Sequence, residues 1–172
     1  MDQIVRMVQT LSKTYSIDPD RIYVTGISMG GYGSWGIINR YPFFFAAAVP
    51  MSGGGLSNYQ RITHIPIWCF HAAKDETVDV SGSDNAVSGA RLAGARVIYT
   101  RYADGSHAIW LAAYANPRLL PWLMAQRRNR PAAVDPFVQI TSPANRFVPA
   151  SADSTRNVSG TASLTGGINQ VN

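Results

Sequence analysis

A β-branched run that ends in a glycine-flanked serine and passes at once into a helical pattern leaves a chain few ways to fold. Here the run is Arg21-Ile22-Tyr23-Val24-Thr25, short and apolar enough for a buried strand. The serine sits in Gly26-Ile27-Ser28-Met29-Gly30, and Trp35, Ile37, Ile38 and Tyr41 then recur at helical spacing. Strand, sharp turn and helix is the setting in which Gly-x-Ser-x-Gly presents a nucleophile. The turn strains the serine backbone, so the residues two before and two after it are expected to be small. The helix behind it aims its first N–H groups at the site, and the Met29 amide is the one expected to meet an oxyanion. Glycine-rich loops carry the same pattern by chance, and this chain has 15 glycines. The flanking strand and helix separate the two cases.

A serine hydroxyl is a weak nucleophile until a base takes its proton, and the base needs an orienting acid. Three histidines are available: His64, His71 and His107. His107 lies in the loop signal Asp104-Gly105-Ser106-His107, after the strand-like 96–102 and before a helix-like run from Ile109. That is where a base should stand. His71 ends the strand-like Ile65-Pro66-Ile67-Trp68-Cys69-Phe70, and Asp75 follows four residues later. His71 is read as a brace for the acid loop and His64 as a surface residue. Asp75 is the expected acid; Glu76 and Asp79 are rivals, and Asp104 reads as a turn residue before Gly105. The order Ser28, Asp75, His107, with gaps of 47 and 32 residues, leaves about one strand and one helix between members. All three can then emerge at one sheet edge.

At this point the chain resembles the α/β-hydrolase esterases of the dienelactone hydrolase, phospholipase/carboxylesterase and feruloyl-esterase-like group. The resemblance rests on Ile17-Asp18-Pro19-Asp20-Arg21-Ile22-Tyr23-Val24-Thr25-Gly26 leading into the serine turn, and on Phe45-Ala46-Ala47-Ala48-Val49-Pro50. Phe70-His71-Ala72-Ala73-Lys74-Asp75 and Gly105-Ser106-His107-Ala108-Ile109-Trp110 complete it. It runs over about residues 1–126. It implies Ser28 as nucleophile, Asp75 as acid, His107 as base, and ester hydrolysis through an acyl-enzyme. No cofactor is expected, and no Cys/His cluster in the sequence offers a metal site.

The chain also departs from that group. Four strands are read here, near 21–26, 44–49, 65–70 and 96–102, in a mostly parallel sheet flanked by helices; the group's sheet has about twice that number. The opening Ile4, Val5, Val8, Leu11 and Tyr15 fit a helix preceding the serine strand. The loop that supplies the group's second oxyanion donor falls in the half without a counterpart, so only the Met29 amide carries over. The serine strand becomes an apolar edge, which invites pairing with another chain; a homo-oligomer, a dimer built on that edge, is expected. Phe43-Phe44 stands where the group has polar residues, and one ring is expected to be exposed. Ala72 replaces a glycine that often follows the histidine.

Composition bounds the rest. A hydrophobic content of 46% in 172 residues fits a globular α/β protein. No apolar run approaches the roughly 20 residues of a membrane span, and no signal peptide is read at Met1. The net charge of +5 partly reflects Arg127, Arg128 and Arg130, read as a solvated helix end and not as a nucleic-acid footprint. Cys69, alone, reads as a core residue. Residues 1–130 form the expected core domain. From Pro131 to residue 172 the chain turns Ser-, Thr-, Asn- and Gly-rich. Val138-Gln139-Ile140-Thr141 and Ser159-Gly160-Thr161-Ala162 resemble the opening of a bacterial Ig-like module, or the segment is a flexible tail. A module of that kind would place the parent protein outside the cytoplasm.

Two functions are expected from this reading. One is a serine carboxylesterase acting on short-chain or aromatic acyl esters, free or polysaccharide-linked, with Trp110 as a candidate pocket residue. Trp35, at helical spacing, is read as core. The other is a catalytically inactive hydrolase remnant serving as an interaction domain.

Overall fold

The computed structural model describes residues 1–56 and 58–128. The expected boundary at residue 130 and the Ig-like or flexible segment at 131–172 lie outside the described residues.

Helix α1 (Asp2–Leu11) precedes β1 (Tyr23–Ile27), α2 (Met29–Arg40) and β2 (Ala47–Met51). Then come β3 (Ile67–Ala72), α3 (Ser81–Leu92), β4 (Val97–Tyr102) and two short helices, α4 (Trp110–Tyr114) and α5 (Leu119–Ala125). The strands form one sheet in the order β1-β2-β3-β4, every neighbouring pair parallel. Parallel neighbours need crossovers: α2 and α3 supply two of them, and the connection from β2 to β3 carries, among its described residues, only a 3-10 turn at Gln60–Ile62. Both crossover helices pack on one face, and α4 and α5 cover the other, so the central strands are apolar at nearly every position.

Alternation still sorts those residues. Ala48, Ile67, Cys69 and Val97 face one cluster with Val5, Trp35, Ile38, Ala86 and Val87. Ala47, Val49, Met51, Trp68 and Phe70 face the other, with Ile109, Ala113, Leu119 and Trp122. Trp68 stacks on Phe70 at 5.2 Å and meets Trp122 edge-on at 5.3 Å. Trp35 is fully buried, as its helical spacing predicts.

All four expected strands are present, with shifted ends. β1 starts at Tyr23 because Pro19–Arg21 forms a 3-10 turn whose cap, Asp18, accepts the Asp20 N–H at 2.9 Å. β2 starts at Ala47 because residues 42–44 are spent in a turn closed by Phe44 N–H to Tyr41 O at 3.1 Å. β2 also continues through Pro50 to Met51, although proline is expected to end a central strand. The ladder to β3 shows how this is accommodated. Ala48 N–H donates to Pro66 O and Ser52 N–H to Phe70 O. The rung between them falls on Pro50, which has no N–H, and only two register pairs join β2 to β3. The helix read from Ile109 is broken at Asn116-Pro117, where the Asn116 side chain accepts the Arg118 N–H at 3.0 Å.

Two surface expectations are settled as well. Phe43 is exposed and stacks on His64 at 4.9 Å, while Phe44 turns inward against Phe45. Arg127 and Arg128 are not a solvated helix end. Arg127 pairs with Asp18, and Arg128 with Asp20 while also donating to Phe43 O. The Arg128 N–H donates to Asp20 O at 3.0 Å, so this segment is clasped to the turn before β1. No helix among the described residues is long and apolar enough to cross a membrane.

Candidate active site

In a parallel sheet all strands end at one edge, and loops leaving that edge are the ones that converge. Ser28 follows β1 directly, Ser52 follows β2, Asp75 lies three residues beyond β3, and His107 five beyond β4.

Ser28 has φ 56° and ψ −115°, a left-handed conformation uncommon for any side chain but glycine. Its N–H donates to Met51 O at 3.0 Å and its carbonyl accepts the Tyr32 N–H at 3.1 Å, so both flanks hold the strained residue in place. The expectation of small residues two before and two after the serine is half right. A Cβ on Gly26 would lie 2.1 Å from Gly30 O, which only glycine avoids. A Cβ on Gly30 would meet nothing within 4 Å. The second tight position is Gly31, where a Cβ would lie 2.3 Å from Met51 O. Close approach of α2 to β2, not the serine turn itself, sets that requirement. The Met29 N–H opens α2 and has no acceptor within the helix, as the first helical amides never do. The Met29 side chain is 84% exposed.

Asp75 is the most heavily bonded group of the edge. Oδ1 accepts the N–H of Thr77 and of Val78, each at 2.9 Å. Oδ2 lies 2.8 Å from His107 Nδ1 and 3.1 Å from His71 Nε2. Its side chain is fully buried. Burial alone would push the carboxyl up. The Val78 N–H, His107 and the Thr77 N–H outweigh it and hold the group below the usual carboxylate value. The rivals stand elsewhere: Asp79 caps Ser81, Asp104 pairs with Lys74, and Glu76 is exposed.

With Nδ1 on Asp75, the His107 ring leaves Nε2 as its remaining nitrogen. The ring is mostly covered, with 18% of the side chain accessible, and Trp110 meets it edge-on at 6.0 Å. Ser28 and His107 are tied to adjacent residues at the end of β2: Ser28 N–H donates to Met51 O, and Ser52 Oγ donates to His107 O at 3.4 Å. Among the described residues, no hydrogen bond joins the Ser28 hydroxyl to the His107 ring. His64, exposed, approaches Pro42 O at 2.8 Å, far from this edge in the chain's topology.

Sequence reasoning missed two residues. Ser52, at φ 46°, is a second strained serine, opposite Ser28 on the neighbouring strand. Ser83 of α3 bonds His71 and the Gly53 carbonyl. The Ser52-Gly53-Gly54-Gly55 run at a strand end was a usable signal for the first; nothing local flags the second. Cys69 is buried, its thiol pushed up to about 12 by desolvation, which rules it out as a nucleophile. Among the described residues no group of three or more metal-binding side chains is assembled.

Residues 1–55 match the model of the prolyl oligopeptidase family. Over 51 residues the chain is 43% identical to poly(3-hydroxyalkanoate) depolymerase C of Paucimonas lemoignei, covering 30% of this chain and 12% of that protein. Over 79 residues it is 30% identical to the bifunctional acetylxylan esterase/xylanase XynS20E of Neocallimastix patriciarum, covering 44% of this chain and 12% of that protein. Among solved structures, a thermostable esterase superposes with a TM-score of 0.71 at 41% identity, over 73% of this chain and 36% of that one. The chain thus spans about a third of that esterase and a smaller share of the two curated relatives. The four-stranded parallel sheet flanked by helices is an α/β-hydrolase fold, and the proteins it resembles include esterases.

Proposed function

We propose that the protein is a serine carboxylesterase with Ser28 as nucleophile, His107 as base and Asp75 as acid. The observation that carries this reading is the short contact between His107 Nδ1 and the buried Asp75 carboxylate, on the edge where Ser28 is held in a strained turn. Asp75 accepts a hydrogen bond from the Nδ1–H and stays ionised, which leaves Nε2 of His107 free to take the proton of Ser28. The serine oxygen attacks the ester carbonyl, and the developing oxyanion meets the Met29 N–H. His107 then returns the proton to the departing alcohol. Water, deprotonated by His107, cleaves the acyl-enzyme and frees the acid. The similarity to an acetylxylan esterase and to a polyester depolymerase favours esters on or within polymers, with small acyl groups. Trp110, whose ring meets His107 edge-on at 6.0 Å, is the residue we assign to the acyl group.

Hydrolysis of p-nitrophenyl acetate and butyrate by the wild type and by Ser28→Ala tests this. Activity present in the first and lost in the second is the expected result. Activity in neither, with both folded by circular dichroism, would favour an inactive remnant that acts as an interaction domain.

We infer also that a second copy covers the β1 flank. Among the described residues β1 pairs only with β2, and Ile4, Met7 and Leu11 of α1 are exposed. Unpaired edges and apolar stripes of this kind are what self-association covers. Sedimentation should show a dimer at micromolar concentration; a clean monomer would sink the inference.

A further inference from the structure

Behind the acid lies a polar chain that the proposed reaction does not use. His71 is completely buried at the end of β3. Its Nε2 has only acceptors nearby, Asp75 Oδ2 at 3.1 Å and Val78 O at 3.0 Å, so Nε2 must carry a proton. Its Nδ1 lies 2.7 Å from Ser83 Oγ. Ser83, also completely buried, has one hydroxyl proton, and Gly53 O stands 2.6 Å from Oγ. A carbonyl cannot donate, so that contact consumes the hydroxyl proton. Ser83 can then only accept from Nδ1. The alternative tautomer, with Nδ1 bare, would place the Ser83 and Gly53 oxygens 2.6 Å apart with no proton between them, an uncompensated contact in a dry interior.

We propose that His71 is a positioning residue protonated on both ring nitrogens, an internal counterion that fixes Asp75 for His107. The chain of contacts runs from His107 to Asp75, His71, Ser83 and Gly53. Gly53 in turn packs on α2, where an added Cβ would lie 2.6 Å from the Tyr32 N. The acid is thereby tied through one buried path to the helix that Ser28 caps. The groups facing His71 are Asp75 and Asp79 on the loop after β3, Ser83 on α3 and, across Asp75, His107. The Asp75 carboxylate in contact with this buried ring, with the exposed Asp79 charge acting on it only through space, suits a cation there. The catalytic part of this inference rests on the esterase reading; the protonation part does not.

The chain has only three histidines, so selective ¹⁵N-histidine labelling gives three resolvable rings. Long-range ¹H–¹⁵N correlation of the wild type at neutral pH should show one ring, identified by its loss in His71→Gln, with both nitrogens of the proton-bearing type. One bare nitrogen in that ring would overturn the proposal. In Ser83→Ala the Nδ1 signal should move, because its acceptor is gone; an unmoved signal would also overturn it. In p-nitrophenyl acetate hydrolysis His71→Gln should lose about tenfold in kcat with KM within about twofold, the mark of a misplaced acid and not of lost binding. An unchanged kcat would remove the positioning role. Should His71→Gln not fold, Ser83→Ala identifies the ring and carries the kinetic arm. If the wild type itself hydrolyses nothing, the esterase reading fails, and the ring nitrogens still decide the protonation state.

Discussion

The two flanks of this sheet are built on opposite principles. At the acid–base side, beyond β3 and β4, Asp75 accepts four contacts in full burial and every histidine nitrogen that touches it is accounted for. On the other side, β1 has one neighbour among the described residues, and the preceding helix α1 presents Ile4, Met7 and Leu11 to solvent. The first arrangement is what catalysis asks of a proton path: the groups sit in fixed places before substrate arrives, so no reorganisation is needed at the moment of reaction. The second is the surface on which the proposed self-association would act. Ser28 stands between them, anchored to β2 by its N–H and bordered by the open edge on its other side.

The sharpest way to break the comparison is to remove the groups that give the closed side its chemistry. Ser28→Ala should lower ester hydrolysis on the order of 10⁵-fold or more, as removal of a triad nucleophile does. Asp75→Asn should cost about 10⁴-fold in kcat, because the amide offers the wrong hydrogen-bond pattern to His107 Nδ1. The same variant tests stability. The folded carboxyl titrates below its unfolded value, so its ionisation stabilises the fold above about pH 4 and that stability is lost as pH falls through the lower, folded value. The wild-type melting temperature should therefore drop more steeply below about pH 4 than that of Asp75→Asn.

Backbone contacts come next in size. Gly26→Ala puts a Cβ 2.1 Å from Gly30 O and should destabilise the protein by about 1–3 kcal/mol in urea unfolding. Gly30→Ala, with open space at that position, should stay within about 1 kcal/mol of wild type and on the stable side, since alanine suits a helix better. Equal losses in the two would mean that the turn, not the contact between α2 and β1, sets the motif. The smallest effect belongs to the open flank. Met7→Lys, at a position 56% exposed, should change monomer stability by less than about 0.5 kcal/mol while weakening self-association in sedimentation.

These contrasts also show what a linear reading can reach. Ser28, Asp75 and His107 were legible because each sits at a strand end marked by local signals: the glycine-flanked serine, an acidic turn after an apolar run, and Gly105-Ser106 before the histidine. The four parallel strands were legible from their short apolar runs. Gly31 was not, because its constraint comes from Met51 O on another strand. The ends of β2, read near 44–49 and found at Ala47–Met51, were not legible because the sequence does not say which rung the missing N–H of Pro50 would occupy. Ser83 was invisible for the same reason: its partners are His71 and Gly53, 12 and 30 residues away. The arginines after α5 carry no local hint that Asp18 and Asp20 await them.

The central claim is that Asp75 and His107 activate Ser28. Reaction with a fluorophosphonate, followed by peptide mapping in the wild type and in His107→Ala, tests it most directly. The account predicts a single adduct on the peptide carrying Ser28 in the wild type and its loss in His107→Ala. An adduct elsewhere, none at all on a folded protein, or equal labelling in both proteins would contradict it.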